Sequence, residues 1–142
     1  MPARSKARKR ALDILFEAEA RSEPLLGLLA ERIAAADPPV PDYAAELVRG
    51  VHEHAALIDD LLTTHSQGWA LERMPAVDRN ILRIGVYELL WQNQVPDAVA
   101  ISEAVTLAFR ATGPPAGRSR PRWRPARRSR CRCSSPPARR SR

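Results

Sequence analysis

The sequence predicts an all-α fold, a bundle of short helices, and three observations carry that expectation. Between positions 6 and 108 the apolar residues recur at steps of three and four. Every proline of that stretch falls between these runs rather than inside one. No alternating apolar and polar stretch of the kind a strand needs competes with them.

The elements follow in order. In Lys6 to Arg21, Ala7, Ala11, Leu15 and Ala18, with Leu12, Ile14 and Phe16 beside them, define one buried stripe. Pro24 suits the opening of a second helix, in which Leu25, Leu28, Leu29 and Ile33 repeat the pattern until Pro38, Pro39 and Pro41 stop it. From Asp42 one long helix of five turns is expected, carried by Ala44, Leu47, Val48, Val51, Ala55, Ile58, Leu61 and Leu62. Gly50 inside it costs about 1 kcal/mol relative to alanine, which points to close helix packing at that position. After Gln67-Gly68, Trp69 and Leu71 begin a short connecting element, and Pro75 fits the start of the most apolar helix. There Val77, Ile81, Leu82, Ile84, Val86, Leu89 and Leu90 mark the central helix of the bundle. Pro96-Asp97 opens a last helix with Val99, Ile101, Ala104, Val105 and Ala108 expected on its inner face.

Charge divides the chain in two. Residues 1–108 hold all sixteen acids and eleven Lys and Arg, a net −5, whereas residues 109–142 hold twelve Arg and neither Lys nor acid, a net +12. The overall +7 therefore describes neither part. We assign 1–108 to one folded domain with a modest core and 109–142 to an Arg-, Pro- and Ser-rich disordered tail. No run of eighteen apolar residues occurs, and the basic N-terminus lacks the apolar stretch of a secretory signal, so the expected location is the cytoplasm.

Nothing in the sequence points to catalysis. Glycine-rich phosphate loops, nucleophilic triads and secluded carboxylate pairs are not evident, and no cofactor is expected. His52, His54 and His65 lack the spacing of three or four that puts metal ligands on one helix face. Cys131 and Cys133, one residue apart, offer neither a disulfide framework nor the usual zinc-knuckle gap.

Two blocks carry a family resemblance. Val77-Asp78-Arg79-Asn80-Ile81-Leu82-Arg83-Ile84-Gly85-Val86-Tyr87-Glu88-Leu89, then Val95-Pro96 and Ile101-Ser102-Glu103-Ala104-Val105-Thr106-Leu107-Ala108, form the central block. Ala7-Arg8-Lys9-Arg10-Ala11-Leu12-Asp13-Ile14-Leu15-Phe16 forms the N-terminal one. Together, in this order, they closely resemble the NusB family of bacterial transcription antitermination factors. The resemblance implies two small helical subdomains and an RNA adaptor rather than an enzyme. Its implied ligands are single-stranded boxA RNA of ribosomal RNA transcripts and the ribosomal protein that doubles as NusE, within an RNA polymerase elongation complex carrying other Nus factors. Family members occur as monomers and as homodimers that bury the RNA surface.

Residues of this chain fit those roles. Arg4, Lys6, Arg8, Lys9 and Arg10 place five cations in seven positions, and phosphate contacts from such a cluster give salt-sensitive affinity. Phe16 supplies a stacking surface for a base if it is exposed, and core packing if it is not. Glu72 and Asp78 match acidic positions that face the basic ribosomal partner; Asp78 also suits the positive end of its own helix. Arg79 matches a basic family position and is a further RNA candidate, the alternative being a surface ion pair. Arg83 and Glu88 are expected to be structural, Arg83 by pairing with an acid of the neighbouring subdomain, and Tyr87 to pack with its hydroxyl at the rim.

The chain departs from the resemblance after Ala108. NusB-like proteins continue with a Lys-Phe-Val-Asn-Gly-like motif and a final amphipathic helix. Here 34 residues contain twelve Arg, six Pro and five Ser, with no Leu, Ile, Val or Met. Two accounts are open: an Arg-rich tail that binds nucleic acid, with Trp123 for stacking, or a frameshift near codon 109 of G+C-rich DNA, which the abundance of Arg without Lys favours. Either way the last helix of the fold is expected to be missing and apolar surface on the central and sixth helices exposed. Two other functional readings stand beside the adaptor. One is a NusB-like N-terminal fragment of a ribosomal RNA cytosine methyltransferase; the other is a non-specific nucleic-acid binder acting through the tail.

Overall fold

The computed structural model describes residues 3–113, and among these every regular element is helical. The elements are α1 (Ala3–Arg21), α2 (Leu25–Ala35), α3 (Asp42–Glu53), α4 (Ala55–His65), a short 3-10 turn (Leu71–Arg73), α5 (Ala76–Trp91) and α6 (Asp97–Thr112). Pro24, Pro41, Pro75 and Pro96 each stand immediately before a helix with extended ψ. There a missing N–H costs nothing and the fixed φ prepares the first turn. The tail 114–142 lies outside the described residues, but Phe109–Thr112 continue α6 beyond the boundary expected at 108.

Helix α5 touches α1, α3, α4 and α6, which makes it the central helix the sequence indicates. The core is one cluster, with Ile14, Leu29, Leu47, Val48, Ile58 and Ile84 closed to solvent. Arg32 of α2 donates to Glu17 of α1 from Nε at 3.1 Å, and that bond holds the Glu17 carboxyl below its ordinary range. At Gly50 an added Cβ would overlap the ring of Tyr87, so the glycine makes room for that ring where α3 packs on α5, the close packing its place inside a helix indicates.

Three expectations need correction. The long helix from Asp42 is two helices, because His54 leaves helical geometry (φ −104°, ψ 14°). Its ring stacks on Trp91, centroids 4.2 Å apart, while Ile58 N–H still donates to the His54 carbonyl. A break of one residue barely shifts the phase of the apolar stripe, so periodicity did not reveal it. On α6 the inner face is Ala100 and Leu107 with Ala104 and Ala108 half-buried, while Val99, Ile101 and Val105 point outward. Small residues win that position because α6 lies close on α5, where Gly85 faces Ala104. Finally, Tyr87 is buried rather than at a rim, stacked near His54 and Trp91.

Candidate nucleic-acid interface

The N-terminal cations do not act as one group. Arg8 is buried, and its Nε reaches both carboxylate oxygens of Glu88 at 2.9 and 3.0 Å. Its Nη1 lies 3.2 Å from Glu103, which in turn accepts from Ser5 Oγ at 2.6 Å. Tyr43 of α3 donates its hydroxyl to Glu88 as well. Burial opposes the Arg8 charge, but Glu88, Tyr43 and Glu103 outweigh it and leave its pKa above the ordinary value. Burial, then the Glu88 carboxylate, pushes the Tyr43 phenol well above the ordinary tyrosine range. The expectation that Arg8 contacts RNA is therefore corrected: a phosphate would have to displace the buried Glu88 carboxylate and the half-buried Glu103.

Arg4 remains exposed but leans away from the free side of α1, its guanidinium 5.4 Å from the centre of the Tyr43 ring. Arg10 is half-buried and donates to the Pro38 carbonyl at 3.2 Å. Lys6 and Lys9 stay on the solvent side. With Asp13 and Phe16 they stand at i, i+3, i+7 and i+10, one exposed stripe of α1. The Lys9 to Asp13 pair at 3.1 Å is solvent-exposed on both sides and worth little.

Phe16 is 42% exposed and is not core. It edges a groove of about 270 Å³ between α1 and α6, lined by the buried Leu12 and Leu107, by Val77 and Ala111, and by the exposed Lys9 and Arg110. Arg110 was missed because its position was assigned to the aberrant tail. The signal was available: it lies seven residues, two helical turns, after Glu103, and so shares the side of α6 that faces α1.

Arg79 is also corrected. It pairs with Glu19 of α1 and donates to the carbonyls of Leu71 and Met74 at 3.1 and 3.2 Å, which occupies its guanidinium. Arg83 grips Asp59 of α4 from Nε and Nη2 at 2.8 and 2.9 Å, the structural pairing expected of it. Asn80, buried, joins the set by donating to Glu19 at 2.9 Å. These bonds wall a cleft of about 610 Å³, lined also by Leu15, Ala18, Val51 and Leu71, in which Glu72 stands exposed. Asp78 is half-buried in the first turn of α5 and does not line that cleft. His52, His54 and His65 do not converge; among the described residues no group of three potential ligands stands together. No helix among them is long and apolar enough to cross a membrane.

A helical scaffold that presents two lysines, an aromatic ring and a groove on one face has the make-up of a binding module. The NusB family model matches residues 5–118. The transcription antitermination protein NusB of Nocardioides sp. is 61% identical over 107 residues, covering 75% of this chain and 79% of that relative. Its counterpart in Acidothermus cellulolyticus is 59% identical over 108 residues, covering 76% and 74%. Among solved structures, T. maritima NusB superposes with a TM-score of 0.65 at 35% identity, covering 78% of each chain. A chain from a crystal structure of the antitermination factors NusB and NusE in complex with dsRNA gives 0.65 at 26% identity, covering 76% and 82%. The chain belongs to the NusB family, whose members cited here are antitermination proteins rather than enzymes.

Proposed function

We propose that this chain is an RNA adaptor in transcription antitermination, taking single-stranded boxA RNA of ribosomal RNA transcripts on the outer face of α1 together with NusE. The observation that carries the reading is the exposed Lys6, Lys9 and Phe16 stripe running beside the α1–α6 groove. Lys6, Lys9 and Arg110 offer phosphate contacts, and the Phe16 ring offers one base a stacking surface. Arg4 and Arg10 stand at the margins of this face with donors left over. The solved relative in complex with NusE and dsRNA supports RNA and NusE as the classes of partner.

On this reading Glu72 and Asp78 are the acidic contacts for the basic NusE surface. The complex then acts on the elongating polymerase with other Nus factors, in the cytoplasm. Self-association through α1 would compete with RNA. The test is fluorescence anisotropy of labelled boxA RNA, with and without NusE, against a scrambled RNA of equal length. The expected result is preference for boxA that NusE strengthens. Equal binding of both RNAs with no effect of NusE would favour tail-driven, non-specific binding instead.

A further inference from the structure

We infer that Asp13 makes the α1 face selective for guanine: the base that stacks on Phe16 turns its Watson–Crick edge to this carboxylate. The inference rests on the RNA-binding reading of α1 and names the base that this site prefers. An acid in the path of phosphates needs a reason, and the other two acids of α1 have one. Glu17 is held by Arg21 and Arg32, and Glu19 by Arg79 and Asn80. Asp13 pairs with Lys9 alone among the described residues, Nζ lying 3.1 Å from Oδ2 and 3.5 Å from Oδ1. With the lysine ahead of the acid, that pair runs in the less favourable order for a helix, and aspartate is itself a poor helix former. Helix stability therefore explains Asp13 poorly.

Position and chemistry explain it better. Asp13 stands one helical turn before Phe16, and both line the α1–α6 groove beside the apolar Leu12, Val77 and Leu107. A base laid on the ring lies next to the carboxylate, whose side chain is 46% exposed. Two carboxylate oxygens accept two parallel N–H donors. Of the four bases only guanine presents two adjacent donors on its Watson–Crick edge, N1–H and the N2 amino group. Adenine and cytosine set a ring-nitrogen acceptor beside their amino group, and uracil flanks N3–H with carbonyls. Each of these three turns a lone pair toward one carboxylate oxygen. Lys9 offsets the Asp13 charge and keeps further ammonium hydrogens for a neighbouring phosphate.

The test measures competition by the full chain for short uridine RNAs that carry one central guanosine, inosine, adenosine or cytidine. The wild type should bind the guanosine RNA about tenfold more tightly than the adenosine and cytidine RNAs, with inosine, which lacks the N2 amino group, in between. In Asp13→Ala the guanosine advantage should vanish while the all-uridine RNA binds more tightly, because a negative charge has left the phosphate path. A merely structural Asp13 would instead lower affinity for every RNA alike. No guanosine preference in the wild type, or the same preference in Asp13→Ala, overturns the proposal. If in addition Lys6→Glu with Lys9→Glu leaves RNA affinity unchanged, the α1 reading falls with it; if that double variant weakens binding, only the guanine assignment is lost. Should Asp13→Ala lose helicity, Asp13→Asn, which keeps the shape but turns one acceptor into a donor, makes the same comparison.

Discussion

The Arg8 guanidinium grips the Glu88 carboxylate through bonds of 2.9 and 3.0 Å, across eighty residues of sequence, with both side chains almost closed to solvent. This pair ties α1 to α5, and through Tyr43 and Glu103 it also reaches α3 and α6. It therefore sets the orientation of the helix whose exposed side carries Lys6, Lys9 and Phe16. Removing one partner strands a buried charge, at a cost of about 3–5 kcal/mol. Urea denaturation of Glu88→Ala should show that loss. Arg8→Ala should lose RNA affinity only together with stability; full stability with lost affinity would restore Arg8 as a contact.

Tyr43 makes the network sensitive to alkali. Its folded pKa is raised, so its neutral form is favoured in the fold, and the contribution is fully present below the unfolded value of 10.0. As pH climbs past that value the unfolded phenol ionises first and the contribution declines. Tyr43→Phe, which removes a hydrogen bond to a charged group, should cost about 1.5–3 kcal/mol at neutral pH. The gap between wild type and variant should then narrow in denaturation series taken above pH 10. A gap independent of pH would contradict the assignment.

Two helix glycines should respond with opposite sign. Gly50→Ala drives a methyl into the Tyr87 ring and should destabilise by about 1–3 kcal/mol. Gly85→Ala meets only Ala104 Cβ at 3.5 Å, an ordinary contact, and should be neutral or gain up to about 1 kcal/mol from helix propensity. Thermal melts of the two variants decide the matter.

Phe16→Ala separates stacking from packing. A half-exposed ring should cost far less stability than the roughly 3–5 kcal/mol of a buried phenylalanine. Loss of one stacked base should weaken RNA binding by about 1–3 kcal/mol. A large drop in melting temperature with unchanged RNA affinity would place the ring with the core.

The stripes of α1, α3 and α5 were legible because buried residues recur at helical steps and prolines mark the helix starts. Other features depend on partners remote in sequence. Arg8 and Lys9 are neighbours in the chain, yet one is buried and the other exposed, because a helix turns about 100° per residue and Glu88 waits on only one side. The His54 break has no proline or adjacent glycine to announce it, and the ring it stacks on, Trp91, belongs to another helix. Helix α6 is apolar on both sides, so periodicity showed that it is a helix without showing which side faces inward. The family motifs pointed to an RNA face on α1, while geometry sorts which of its cations are free to serve.

The most direct test of the α1 face is the salt dependence of boxA RNA affinity for wild type, for Lys6→Glu with Lys9→Glu, and for Arg49→Glu, an exposed cation on α3. The expected result is a large loss of affinity for the α1 double variant. Its slope of log K against log salt should be shallower by about 0.7 for each phosphate contact removed, with Arg49→Glu like wild type. Equal affinity and slope in all three proteins would contradict an RNA face on α1 and move the binding to another part of the chain.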